Sequence, residues 1–210
     1  MIGKDYLRGQ DEVYGIKLKI DVNIGQVNEQ KLSNIKEKFN CDTQIHEETI
    51  DSEMICIKLD NNISIRIYEK YVWIGTYVKC SDVTPAIQSI IECIKYIQQG
   101  LVCEFQGQIL EVNFYDYIKK EKYRSTLVGL FKSENVGFAI EDINYRFRIK
   151  SERFSKNITF GIKDFNLDKD AYIAYIYYGI EVNYATIEDD LLYMYSEFEK
   201  NIKNITSVNV

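Results

Sequence analysis

The chain has 210 residues, 46% of them hydrophobic and 28% charged, with a net charge of −6. That composition suits one large domain or two small ones. One proline and 11 glycines exclude collagen-like and proline-rich chains, and no apolar run approaches the roughly 18 residues of a membrane helix.

The first residues, Met1-Ile2-Gly3-Lys4-Asp5, do not carry the basic and apolar segments of a secretory signal, so the expected location is the cytoplasm. The cysteines Cys41, Cys56, Cys80, Cys93 and Cys103 lie 10 to 24 residues apart with no Cys-x-x-Cys, and free, mostly buried thiols are expected. Residues 1–100 hold 12 basic and 15 acidic side chains and residues 101–210 hold 14 and 17, so each half carries −3. Because phosphate neutralisation dominates nucleic-acid affinity, that even acidic balance argues against a nucleic-acid partner unless a local patch is strong.

Alternation of apolar and polar residues dominates the chain. Residues 13–22 read as a strand with Tyr14, Ile16, Leu18, Ile20 and Val22 on one face and Lys17, Lys19 and Asp21 on the other. Helical spacing follows over 28–39, then strands over 43–50, 53–59 and 63–68, with Asp60-Asn61-Asn62 as a turn in which asparagine tolerates positive φ. If Glu69-Lys70 is a two-residue turn, Ile65 pairs with Ile74, Arg66 with Trp73, Ile67 with Val72 and Tyr68 with Tyr71. Ile63, Ile65, Ile67, Val72 and Ile74 then face a core, while Arg66, Tyr68, Tyr71, Trp73 and Tyr77 form an aromatic plate with a guanidinium over it. Thr84 and Pro85 open a helix that runs to Gln99, with Gly100 as its stop.

Further strands are expected over 108–117, 123–131, 136–150, 155–163 and 171–183. The segment 143–150 has a basic face, Arg146, Arg148 and Lys150, with Arg153 beyond it; its own aromatics, Tyr145 and Phe147, point to the opposite face. A solvated face with acidic cross-strand neighbours is the favoured reading over an anion track. Tyr175 and Tyr177 lie on an aromatic strand with two apolar faces, either central or presenting an interface. Thr186 caps a last helix with Glu188, Asp189 and Asp190 in its first turn.

The expected fold class is α+β: mainly antiparallel sheet with about three helices. Either two similar modules, 1–100 and 101–210, are each closed by a C-terminal helix, or 1–210 is one continuous domain.

No pattern fixes a chemistry. Residues 164–170 fail as a calcium loop because Lys169 and Tyr175 stand where a glycine and a glutamate are needed. The lone His46 has no nucleophile or paired ligand in view, and Gly129-Leu130-Phe131-Lys132-Ser133 lacks the glycine of a phosphate loop. No metal, cofactor or catalytic residue is therefore assigned. The leading expectation is a non-catalytic binding protein that occludes or sequesters a protein partner, in the manner of an immunity protein or phage inhibitor. Richness in Ile, Asn, Lys and Tyr fits an AT-rich bacterial or phage genome. The alternative is a small-molecule binder or enzyme with a Tyr/Arg-lined cleft between sheet and helix. Self-association through the aromatic strands is a third reading. The candidate binding residues are Arg66, Tyr68, Tyr71, Trp73, Tyr77, Arg146, Arg148, Tyr175 and Tyr177. An open, flat Trp73 plate would favour the protein interface, and a Tyr/Arg-lined pocket the ligand.

Overall fold

The computed structural model describes residues 15–39, 45–51, 53–59, 62–76, 83–103, 109–120, 144–154, 158–164, 171–181 and 183–206. The strands expected over 123–131 and the first part of 136–150, residues 165–170, and Tyr77 lie outside them, as do residues 129–133.

The fold is α+β, a mainly antiparallel sheet with helices. Its described strands are β1 (Ile16–Asp21), β2 (Ile45–Ile50), β3 (Met54–Leu59), β4 (Ile63–Tyr68), β5 (Tyr71–Thr76), β6 (Ile109–Lys119), β7 (Asn144–Ile149), β8 (Ile158–Asp164) and β9 (Ala171–Glu181). They form one sheet in the order β2-β3-β4-β5-β1-β6-β9-β8-β7. Among the described residues three helices accompany it: α1 (Glu29–Phe39), α2 (Val83–Leu101) and α3 (Ile187–Thr206). β1 and β6 pair antiparallel at the centre, so the hydrogen-bonded ladder crosses without a break from the first half of the chain to the second.

Alternation sends one side chain of each pair to the helices and the next to the opposite face. Leu18, Ile20, Ile55, Ile65, Ile67, Val72, Ile74, Phe114, Ile162 and Ile176 are buried on the helix side. The helices close over them: Phe198 of α3 lies 6.2 Å from Phe114 and 6.4 Å from Phe160, and Phe39 of α1 meets Tyr96 of α2 edge-on at 5.2 Å. Tyr178 of β9 is buried on that side too, its hydroxyl donating to the Met194 carbonyl at 3.1 Å or to a Glu197 carboxylate oxygen at 3.0 Å.

The β4–β5 hairpin has the expected register, with Arg66 opposite Trp73 and Ile67 opposite Val72. Its Glu69-Lys70 turn lacks the positive φ that favours asparagine or glycine. It is held from outside instead: the Glu69 and Lys70 carbonyls accept hydrogen bonds from the N–H groups of Ile24 (2.7 Å) and Val22 (3.0 Å). Asn62 does take the positive φ expected of it, 64°.

Two helix ends differ from expectation. α2 begins at Val83, which puts Pro85 inside its first turn, where a missing N–H still costs no helical bond. Gly100 does not stop α2. It lies within it, and a Cβ there would stand 2.7 Å from the Ile35 Cα, so this glycine lets α1 and α2 touch backbone to backbone. The stop comes at Val102, with φ 51°, and the Cys103 N–H returns to the Gln98 carbonyl. The last helix starts as expected, with the Thr186 hydroxyl 2.8 Å from an Asp190 carboxylate oxygen.

Gly100→Ala should therefore lower stability by about 1–3 kcal/mol, as overpacked sites do, and Val102→Gly should raise it by about 1 kcal/mol by relieving a left-handed β-branched residue. Urea unfolding checks both; an unchanged midpoint for Gly100→Ala would place the helices further apart than the structure does.

Candidate functional site

All three helices contact the inner face of the sheet or one another, and no described helix lies over the outer face. Register fixes what that face carries. One row runs Cys56, Arg66, Trp73, Lys19, Glu111, and the next runs Lys58, Ser64, Gly75, Lys17, Asn113, Tyr177, Thr159, Arg148. A third holds Tyr115, Tyr175, Gly161 and Arg146.

By this alternation the described strands send eight cations outward (Lys17, Lys19, Lys58, Arg66, Lys119, Arg146, Arg148, Lys163) and four carboxylates (Asp21, Glu47, Glu111, Glu181). The face thus has four positive charges in excess on a chain of −6. On the face itself Lys58 binds Glu47 at 2.5 Å, and Lys19 lies 3.3 Å from Asp21 and 3.9 Å from Glu111. The surplus divides evenly, two on the β2–β3–β4–β5–β1 side and two on β6–β9–β8–β7. On β8 the cross-strand partners of Arg146 and Arg148 are Gly161 and Thr159 rather than acids. No ion pair joins either arginine to a described residue.

Two adjoining depressions mark this face. The first, about 490 Å³, is lined by Asn113, Tyr115, Asn144, Arg146, Thr159, Lys163, Tyr175 and Tyr177, with no carboxylate among them. Gly161 shapes it. A Cβ at that position would meet the Tyr175 ring 2.3 Å away, so the ring lies across β8 with its hydroxyl end over the glycine, on the row that ends at Arg146. Tyr115 stands behind, 6.4 Å from Tyr175 between ring centroids. Burial, and secondarily the neighbouring Tyr175, pushes the Tyr115 hydroxyl up to about 12. Burial also raises Tyr177, reinforced by Glu111.

The second depression, about 360 Å³, is lined by Lys17, Lys19, Arg66, Tyr68, Tyr71, Trp73, Glu111 and Asn113. Trp73 is not an open plate. It is 6% exposed, with the Arg66 guanidinium 4.9 Å and the Lys17 ammonium 5.1 Å from its ring centre. Tyr68 and Tyr71 stack on each other at 4.4 Å, and Lys19 lies 4.9 Å over Tyr71.

The structure thus brings Arg66, Tyr68, Tyr71 and Trp73 to one depression and Arg146, Tyr175 and Tyr177 to the other, with Arg148 on the same face beside the latter. Arg153 leaves the group: it binds Asp190 at the start of α3 and lies over Tyr193. Lys17, Lys19, Asn113, Tyr115, Asn144, Thr159 and Lys163 join the site without having been assigned to it. Their signal was the polar register of strands whose apolar register marked the core.

Among the described residues no group of three or more His, Cys, Asp or Glu could hold a metal ion. The His46 side chain lies outside the described residues, although its backbone belongs to β2. Cys56, Cys93 and Cys103 are free, and burial raises all three thiols, Cys93 to about 12, which keeps them protonated and poorly nucleophilic. No described helix is long and apolar enough to cross a membrane. No protein-family model matches the chain, and no curated protein matches it.

Tyr115 gives a pH prediction. The folded protein holds its proton more tightly than the unfolded chain, so its stabilising contribution is complete below pH 10 and is lost as pH rises through about 12. Ultraviolet titration should show some tyrosines ionising well after the rest, in step with alkaline unfolding. Ionisation of every tyrosine at ordinary pH in the folded protein would contradict the burial described.

Proposed function

We propose that the protein is a non-catalytic binding protein whose sheet face opposite the described helices takes an anionic partner, seated where Arg146 and Lys163 rim a floor of Tyr115, Tyr175 and Tyr177. The observation that carries this reading is the first depression: cations, hydroxyls and amides converge there, with no carboxylate among the described lining residues. Its volume of about 490 Å³ falls in the range of ligand clefts. The leading expectation from sequence, occlusion of a protein partner, drew on an open Trp73 plate, and the burial of Trp73 under Lys17 and Arg66 gives it less support than the Tyr/Arg-lined cleft. The protonated thiols support binding rather than nucleophilic chemistry.

Immobilised heparin, a polyanion without bases, tests the reading. A chain of −6 has no reason to be retained at neutral pH unless one face is locally basic. The wild type should be retained at low salt, and Arg146→Glu/Arg148→Glu should pass through with its thermal midpoint unchanged. Passage of the wild type at low salt, or equal retention of the variant, would defeat it.

A further inference from the structure

We infer that the anionic partner is a single-stranded nucleic acid lying across the strands, from Arg146 on β7 to Arg66 on β4. This rests on the open face being an anion site and adds two features: a polymer, and bases.

The polymer follows from continuity. Asn113 lines both depressions, so they form one path. From β7 to β4 the order crosses β8, β9, β6, β1 and β5, six steps of about 4.8 Å, or roughly 29 Å. Four cations recur along it, Arg146, then Lys163, then Lys17, then Arg66, while Lys19 is held by Asp21 and Glu111. A small anion would use only the first depression and leave the rest of this path without a role.

The bases follow from the rings. Tyr145 and Phe147 of β7 do point away from Arg146, but cross-strand register places Tyr175 and Tyr177 of β9 on its face, both half-buried. A cationic groove with aromatic rings beside it is the arrangement that holds single strands, through phosphate contacts and stacking. Trp73 serves differently here, holding Lys17 and Arg66 over its own ring. An acidic peptide would use the cations and have no need of the tyrosines. A duplex stacks its bases inward and exposes only their groove edges, which leaves the tyrosine rings of this face nothing to stack on.

A fluorescein-labelled strand of about 15 thymidines, a typical footprint size, tests this by anisotropy against its duplex with adenine, polyglutamate and heparin. With about four phosphate contacts, log K should fall against log salt with a slope near −3, and Arg146→Ala should reduce the slope by about 0.7. Tyr177→Ala should weaken the single strand at least about fivefold with the slope kept, while Tyr177→Phe, which retains the ring, should bind as wild type. Heparin binding with no preference for the single strand over the duplex, or no loss in Tyr177→Ala, would overturn the nucleic-acid inference and leave the anion reading standing. Tighter binding of polyglutamate would overturn it in favour of an acidic protein. Failure of all four, heparin included, would remove both.

Discussion

The antiparallel pairing of β1 with β6 is the constraint on which the rest of the molecule depends. Ile16 stands opposite Phe114 and Leu18 opposite Val112, all four buried, so one register welds the apolar layers of the two halves beneath the helices. The intervening residues, Lys17 opposite Asn113 and Lys19 opposite Glu111, are placed by the same register on the other face. A slip of one residue would send the lysines into the core and the apolar residues to water. Core and candidate site are therefore specified together, and the joining of the two depressions at Asn113 is a direct result.

Charge is distributed by the same device. The open face holds an excess of four positive charges although the whole chain is acidic. Among the described helices the acids gather at the start of α3, with Glu188, Asp189 and Asp190 in its first turn. Net charge alone, even divided between halves, averages this away, because residues 17 and 163 meet only through the sheet.

Local periodicity made much of this legible. The Arg66–Trp73 pairing, the core face of the hairpin and the stripe of α3 all follow from spacing, because each depends on neighbours a few residues apart. What spacing could not supply is long-range contact. Gly100 looks like a helix stop until Ile35 of another helix is placed against it, and the unpromising Glu69-Lys70 turn works because Val22 and Ile24 hold its carbonyls. Arg153 belongs by sequence to a basic run and in space to Asp190. The candidate residues on both aromatic strands were named from alternation, but their gathering on one face needed β1 and β6 between them. The same is true of Trp73, whose exposure is decided by Lys17 on a strand more than fifty residues earlier.

The face itself can be identified without knowing the natural partner. Lysine acylation read by mass spectrometry, with and without the thymidine strand or heparin, compares Lys17, Lys119 and Lys163 of the open face with Lys38, Lys95 and Lys200 of the helices. Protection confined to the first three is the expected result. Protection of the helical lysines, with the sheet lysines labelled as before, would contradict the account at its centre.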